Sequence, residues 1–266
     1  MLAGANKKIV FLFARQRSGT GALSSLLNQH PDCNYLGEVF GSAHEAHPHH
    51  YFNWLQKAVL ADPSLVLPSH ALDRLHAYLD YLRGAVDEGV LVLDLKISQA
   101  HHFEPFDRGI HAPPRFYDMV RDVGSDVIFL RRENLVRTYL SKLSAIESGI
   151  WHAEGSRPPL PLLKVDVESM LPALRQLARR EKYMDGLRKF FPGSLELSYE
   201  ALFGDGTNYL SPEVALSLER VLGLSGLGTL ETRQQKLRPG RLEEIVENHA
   251  ELRQALKGTA FESMTG

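Results

Sequence analysis

Cysteine is nearly missing from this chain: Cys33 is the only one in 266 residues. A single thiol excludes an internal disulfide framework and a cysteine-rich zinc or iron–sulfur centre, and it suits a reducing compartment. Long apolar runs are lacking as well. The longest near the start, Ile9 to Ala14, has six residues and is closed by Arg15 and Arg17. That is too short for a signal-peptide core or a membrane span. Neither charge is in excess, with 30 basic residues against 32 acidic ones and a net charge of -2. Bulk electrostatic binding of nucleic acid is therefore excluded, while a local basic pocket is not. What remains is ordinary for a folded protein, 44% hydrophobic and 23% charged, and too apolar for disorder. These features predict one cytoplasmic domain over residues 1–266, without repeats or low-complexity tracts.

Strand and helix patterns alternate along the chain. Lys8 to Ala14 is a continuous run of β-branched, aromatic and aliphatic residues, the pattern of a strand covered on both faces. From Thr20 to Gln29 the apolar residues Leu23, Leu26 and Leu27 recur at helical spacing, and His30-Pro31 predicts the stop. Further strands are predicted at Asn34–Leu36, Val90–Ile97 and Asp126–Leu130, with a weaker one at Ser194–Ser198. Helical patterns cover roughly 49–61, 71–86, 133–148 and 166–191, the last with an amphipathic stripe. Arg157 to Pro161 reads as a loop. The alternation predicts an α/β fold, a central parallel sheet flanked by helices with right-handed crossovers.

Arg15-Gln-Arg-Ser-Gly-Thr-Gly21 stands where the first strand hands over to the first helix. Unpaired backbone N–H groups and the positive end of the helix dipole make such a turn an anion site. Gly19 and Gly21 let the backbone curl around an oxyanion. Ser18 and Thr20 add hydroxyls, and Arg17 adds a cation with several donors. No Lys follows Gly19 or Gly21 in the Walker frame, so phosphate binding fits better than magnesium-nucleotide hydrolysis. A second strand-to-helix passage carries Arg131 and Arg132 at the strand's carboxyl end, where open α/β sheets bind ligands. Thr138 and Ser141, three apart, share one face of the following helix.

Together these two segments resemble the sulfotransferase superfamily that uses 3'-phosphoadenylyl sulfate (PAPS) as donor. Arg17 to Leu23 is similar to that superfamily's 5'-phosphosulfate loop, which implies donor contacts from Arg17, Ser18, Gly19, Thr20, Gly21 and Ala22. Arg17 stands where many relatives carry Lys. Arg132 to Ser141 resembles the motif that holds the 3'-phosphate, with Thr138 assisting. Leu26 to Pro31, with Gly37-Glu38, resembles bacterial carbohydrate sulfotransferases of the nodulation-factor, trehalose and lipopolysaccharide kind. Tyr199 to Leu202 and Asn248 to Leu252 resemble weaker late motifs of that group. Gln235 to Arg238 loosely resembles a basic loop that closes on the nucleotide, implying roles for Lys236 and Arg238. The resemblance implies a P-loop nucleotide-kinase-like fold and a small-molecule or glycolipid hydroxyl as acceptor. No metal is implied.

Sulfuryl transfer needs positioning, charge neutralisation and a base for the acceptor's proton. Glu38, just past a predicted strand and beside the first helix, is the expected base, as the resembling enzymes place a glutamate here. His101 and His102 are its rivals, and Lys96 is a candidate contact for the sulfuryl group. The cluster His44-x-x-His47-x-His49-His50 has metal-ligating residues but no helical His-x-x-x-His spacing, and Pro48 interrupts it. It reads as a loop or an acceptor wall. Two other functions stay open at the sequence level: a kinase-like nucleotide phosphotransferase, and a non-catalytic nucleotide-binding protein.

Overall fold

The computed structural model describes residues 7–41, 47–86, 88–102, 113–151, 153, 155, 159–204 and 207–265. Its centre is β1 (Ile9–Ala14), buried along its whole length. Ile9, Phe11 and Phe13 feed one hydrophobic core, and Val10, Leu12 and Ala14 feed another. That is the two-residue alternation of a strand with helices on both sides. Burying a side chain of this size contributes about 1.5–3 kcal/mol, so the run from Ile9 to Ala14 anchors both layers at once.

Around β1 lie β3 (Val90–Lys96) and β4 (Asp126–Arg131), with Phe11 level with Leu93 on one side and Val127 on the other. Outside them are β2 (Cys33–Gly37) and β5 (Leu195–Ser198). The order is β2-β3-β1-β4-β5 and every pairing is parallel. The chain leaves β1 toward one edge and leaves β4 toward the other. In such sheets the crevice between those two carboxyl ends is where ligands bind.

α1 (Thr20–Leu27) and α8 (Pro212–Leu222) cover one face, burying Leu23, Leu26, Leu27, Val214 and Leu218. On the other face lie α2 (Tyr51–Ala61), α3 (Ala71–Ala85) and α4 (Phe116–Asp122), joined through aromatic contacts such as Tyr51 on Tyr78 at 5.0 Å and Phe13 on Tyr117 at 5.4 Å. A third core brings together α5 (Leu135–Ser148), α6 (Val167–Arg188), α9 (Leu242–Ile245) and α10 (His249–Leu256) around Val136, Leu140, Met170 and Leu252. A single turn, α7 (Tyr199–Leu202), follows β5 directly. Among the described residues no helix is long and apolar enough to cross a membrane.

The expected elements are present, with shifted ends. α1 stops at Leu27, where the Asn28 N–H donates to the Ser24 carbonyl and the Gln29 N–H to the Leu26 carbonyl, so the helix ends before His30-Pro31 can stop it. α8 had no place in the sequence reading, although Pro212 at its first turn and Gly223 at φ 72° after its end are ordinary boundary signals. Of the predicted loop Arg157–Pro161, Arg157 and Pro158 lie outside the described residues.

Candidate functional site

The turn between β1 and α1 is built on unusual backbone. Gly19 is at φ 98°, and Arg17, at φ 65°, is the only non-glycine residue with positive φ among the described residues. Such strain persists only where surrounding contacts hold it. Here the contacts are visible. Arg17 donates from Nε and Nη2 to Ser141 Oγ at 3.0 and 2.9 Å, and from Nη1 to the Trp151 carbonyl at 2.8 Å. Its guanidinium also lies 6.0 Å from the Trp151 ring centre. Burial pulls the Arg17 pKa below its ordinary value while Tyr199 pulls it back. Gly19 precedes α1 with no side-chain cap on the helix, and the Ser18 hydroxyl beside it is fully buried with no protein partner.

Arg132 approaches the same turn from the end of β4. Its guanidinium stacks 4.7 Å from the Tyr199 ring, while that ring lies against Gly19. A Cβ on Gly19 would come within 2.2 Å of Tyr199 Cδ2. Burial lowers the Arg132 pKa from its ordinary value, opposed by Tyr199 and Glu200. Glu200 accepts the backbone N–H groups of Glu133 and Asn134 at 3.0 and 3.1 Å, and Asn134 in turn caps α5 through Arg137 N. The late Tyr199–Leu202 motif thus clamps both phosphate-candidate loops. Arg132 Nε is buried and lacks a partner, as does Nη1 of the buried Arg15. Arg131 points elsewhere, half exposed and 3.6 Å from Glu133.

On the β3 side, Lys96 gathers the site's carboxylates. Its Nζ lies 2.6 Å from both Asp94 oxygens, 2.9 Å from Thr20 Oγ1 and 3.4 Å from Glu38 Oε1. Tyr35 donates to Asp94 at 2.9 Å; burial foremost, then Asp94, pushes its pKa up. Gln99 ties the arrangement together, donating to Glu38 Oε2 at 2.8 Å while accepting the Lys96 N–H at 3.0 Å. Glu38 is consequently held beside the first turn of α1. Of its rivals, His101 is exposed on the short 3-10 helix after β3. His102 makes a 2.8 Å contact from Nδ1 to the Phe40 carbonyl, which acts as acceptor, and its ring packs on Phe52. A ring fixed through Nδ1–H carries its free lone pair on Nε2.

Thr138 lies three residues before Ser141 on α5. It is 2% exposed, and its hydroxyl donates to the Asn134 carbonyl at 3.1 Å, the back-bonding that helical Thr commonly adopts. Ser141 lies at the site, but it accepts Arg17; two residues that the resemblance assigns to different phosphates meet directly. Arg238 is inserted against α5, bonded to Ser144 Oγ and to the Pro161 carbonyl at 2.9 Å, with Glu147 at 3.6 Å. Lys236 is exposed. The late loop also reaches α1, where Thr232 Oγ1 donates to the Ala22 carbonyl and the Arg233 N–H to Ser25 Oγ.

His44 lies outside the described residues. His50 is buried on the Gly41 carbonyl and His49 contacts Tyr81, and among the described residues no group of three His, Cys, Asp or Glu side chains is close enough to hold a metal. A wide depression of about 580 Å³ lined by Lys8, His30, Asp32, Glu88 and Ser225 opens at the opposite end of the sheet. It is shallow and mixes both charges, so it lacks the convergent donors found at the β1 and β4 ends.

Asp94, Gln99, Arg15, Trp151 and Glu200 were not among the expected site residues. Asp94 had a readable signal: Asp and Lys two apart in an otherwise apolar strand lie on one face. Gln99 had none, because its contacts depend on strand order, while Glu200 stands inside the late Tyr199–Leu202 motif without a role assigned to it. Searched against protein-family models and curated proteins, the chain matches neither.

Proposed function

We propose that this protein transfers a sulfuryl group from PAPS to a hydroxyl of a carbohydrate or glycolipid. One observation carries the reading: the buried Ser18 hydroxyl and the buried Arg132 Nε both lack a partner among the described residues, and the two loops that carry them meet at Tyr199, which stacks on Arg132 and lies against Gly19. Each such atom costs about 1–3 kcal/mol when nothing satisfies it. Beside the open first turn of α1, these two groups suit an anionic ligand. Two cationic loops on adjacent strands suit a nucleotide with phosphate at both its 5' and 3' ends.

In this reading the Ser18–Ala22 backbone and Arg17 take the 5'-phosphosulfate, and Arg132 with Ser141 takes the 3'-phosphate. The acceptor oxygen attacks sulfur as the bond from sulfur to the bridging phosphate oxygen breaks, and adenosine 3',5'-bisphosphate leaves. The hydroxyl proton passes to Glu38, which Gln99 and Lys96 orient. Arg17 and the amides of α1 neutralise charge on the departing oxygen. Lys96, shared among Asp94, Glu38 and Thr20, aligns the base with the loop. The test is a panel of sugars and glycolipids incubated with sulfur-labelled PAPS. Label transfer with release of adenosine 3',5'-bisphosphate is expected. Turnover of magnesium-ATP with no label transfer to any acceptor would reverse the assignment in favour of a phosphotransferase.

A further inference from the structure

The donor-site reading gives Arg15 no phosphate contact, yet Arg15 connects the segments that carry both candidate phosphate sites. It follows β1 directly and is 3% exposed. Its Nε is paired with Glu181 of α6, and its Nη2 donates to the Arg132 carbonyl at 3.2 Å. The strand register explains the reach: Ala14 is level with Leu130, so the residues just beyond the two strand ends are neighbours. The Arg132 main chain is therefore held from the β1 side by Arg15, while its guanidinium is held by Tyr199, which rests on Gly19. A planar guanidinium with donors in a fixed fork can bind a carboxylate and a carbonyl at once, which a lysine ammonium on a flexible stem does less rigidly.

We propose that Arg15, braced by Glu181, is a positioning residue that sets the span between the two phosphate-binding loops, and so selects nucleotides phosphorylated at both the 5' and 3' ends. This inference rests on the donor-site reading above. A ribose fixes the separation of its two phosphates, so both ends bind well only if the loops match that span. Where geometry is exacting, a misplacement of about 1 Å can cost a hundredfold in rate, and a ligand held at two fixed points is subject to the same geometric demand. A 5'-monophosphate engages one loop only and is indifferent to the span.

The experiment compares calorimetric affinities for adenosine 3',5'-bisphosphate and adenosine 5'-monophosphate in the full chain. Removing one partner of the Arg15–Glu181 pair leaves a buried charge and risks unfolding. The double variant Arg15→Met/Glu181→Met replaces the pair with apolar side chains of similar volume, a change that folded proteins often accept. Arg15→Lys serves as the second variant, since it preserves the charge. Both variants should bind the monophosphate within about twofold of wild type while the preference for the bisphosphate falls at least tenfold. An unchanged preference in either folded variant overturns the proposal, as does an equal loss for both nucleotides. If the wild type shows no preference, the donor-site reading itself fails, an outcome distinct from a wild-type preference that survives in the variants.

Discussion

A methyl group at Gly19 would sit 2.2 Å from Tyr199 Cδ2 on a backbone at φ 98°. Gly19→Ala should therefore cost at least about 1–3 kcal/mol from the backbone alone, seen as a fall of several degrees in the unfolding temperature. It should also weaken nucleotide binding, since Tyr199 would be displaced from Arg132. Unchanged melting and binding would show that Tyr199 does not rest on this turn. At Arg17, substitution by Ala removes the cation that meets Ser141 and the Trp151 carbonyl. Turnover should drop at least about a hundredfold, as loss of a charge-stabilising donor commonly causes. Glu38→Gln retains the shape beside Lys96 and Gln99 but cannot take a proton. A fall in kcat of roughly a hundred- to ten-thousandfold with unaltered nucleotide affinity is expected. Retained activity there, with loss in His102→Ala, would move the base to the imidazole. Burial pushes the Cys33 thiol up to about 12, so little thiolate exists at mildly alkaline pH. Alkylating reagents should label Cys33 on unfolding, and prompt labelling of the native chain would contradict its burial.

At the scale of elements, the passage from β4 into α5 depends on a partner from elsewhere in the chain. Glu200, in the turn after β5, accepts the N–H groups of Glu133 and Asn134. Glu200→Ala should cost about 1 kcal/mol, the net worth of an exposed hydrogen-bonded cap, and should weaken binding of the 3'-phosphate more than of the 5'-phosphate. Equal effects on both would mean that Glu200 stabilises the fold without setting Arg132. The elements differ in how well the sequence announces them. β1, β3 and β4 are legible because strands covered on both faces are written as unbroken apolar runs. The edge strand β5 has only Leu197 buried, so its pattern is faint. The β1–α1 loop was readable because its residues are consecutive. The Lys96–Glu38–Gln99 arrangement was not, because it forms only when β2 lies beside β3.

For the molecule as a whole, the order β2-β3-β1-β4-β5 brings two cation-bearing loops to adjacent strand ends and leaves Glu38 on the neighbouring side. A net charge of -2 coexists with this local concentration of Arg15, Arg17 and Arg132. Arg15 and Glu181 are 166 positions apart, and no local pattern in the chain pairs them; only the assembled sheet and α6 do. The most direct measurement is calorimetry of the wild-type chain, without added metal, against adenosine 3',5'-bisphosphate and adenosine 5'-monophosphate. With charge-assisted hydrogen bonds each contributing about 1.5–3 kcal/mol, two such bonds to the 3'-phosphate should make the bisphosphate bind at least about a hundredfold tighter. Equal affinity for the two nucleotides would contradict the assignment of Arg132 and Ser141, and with it the PAPS-dependent reading of the site.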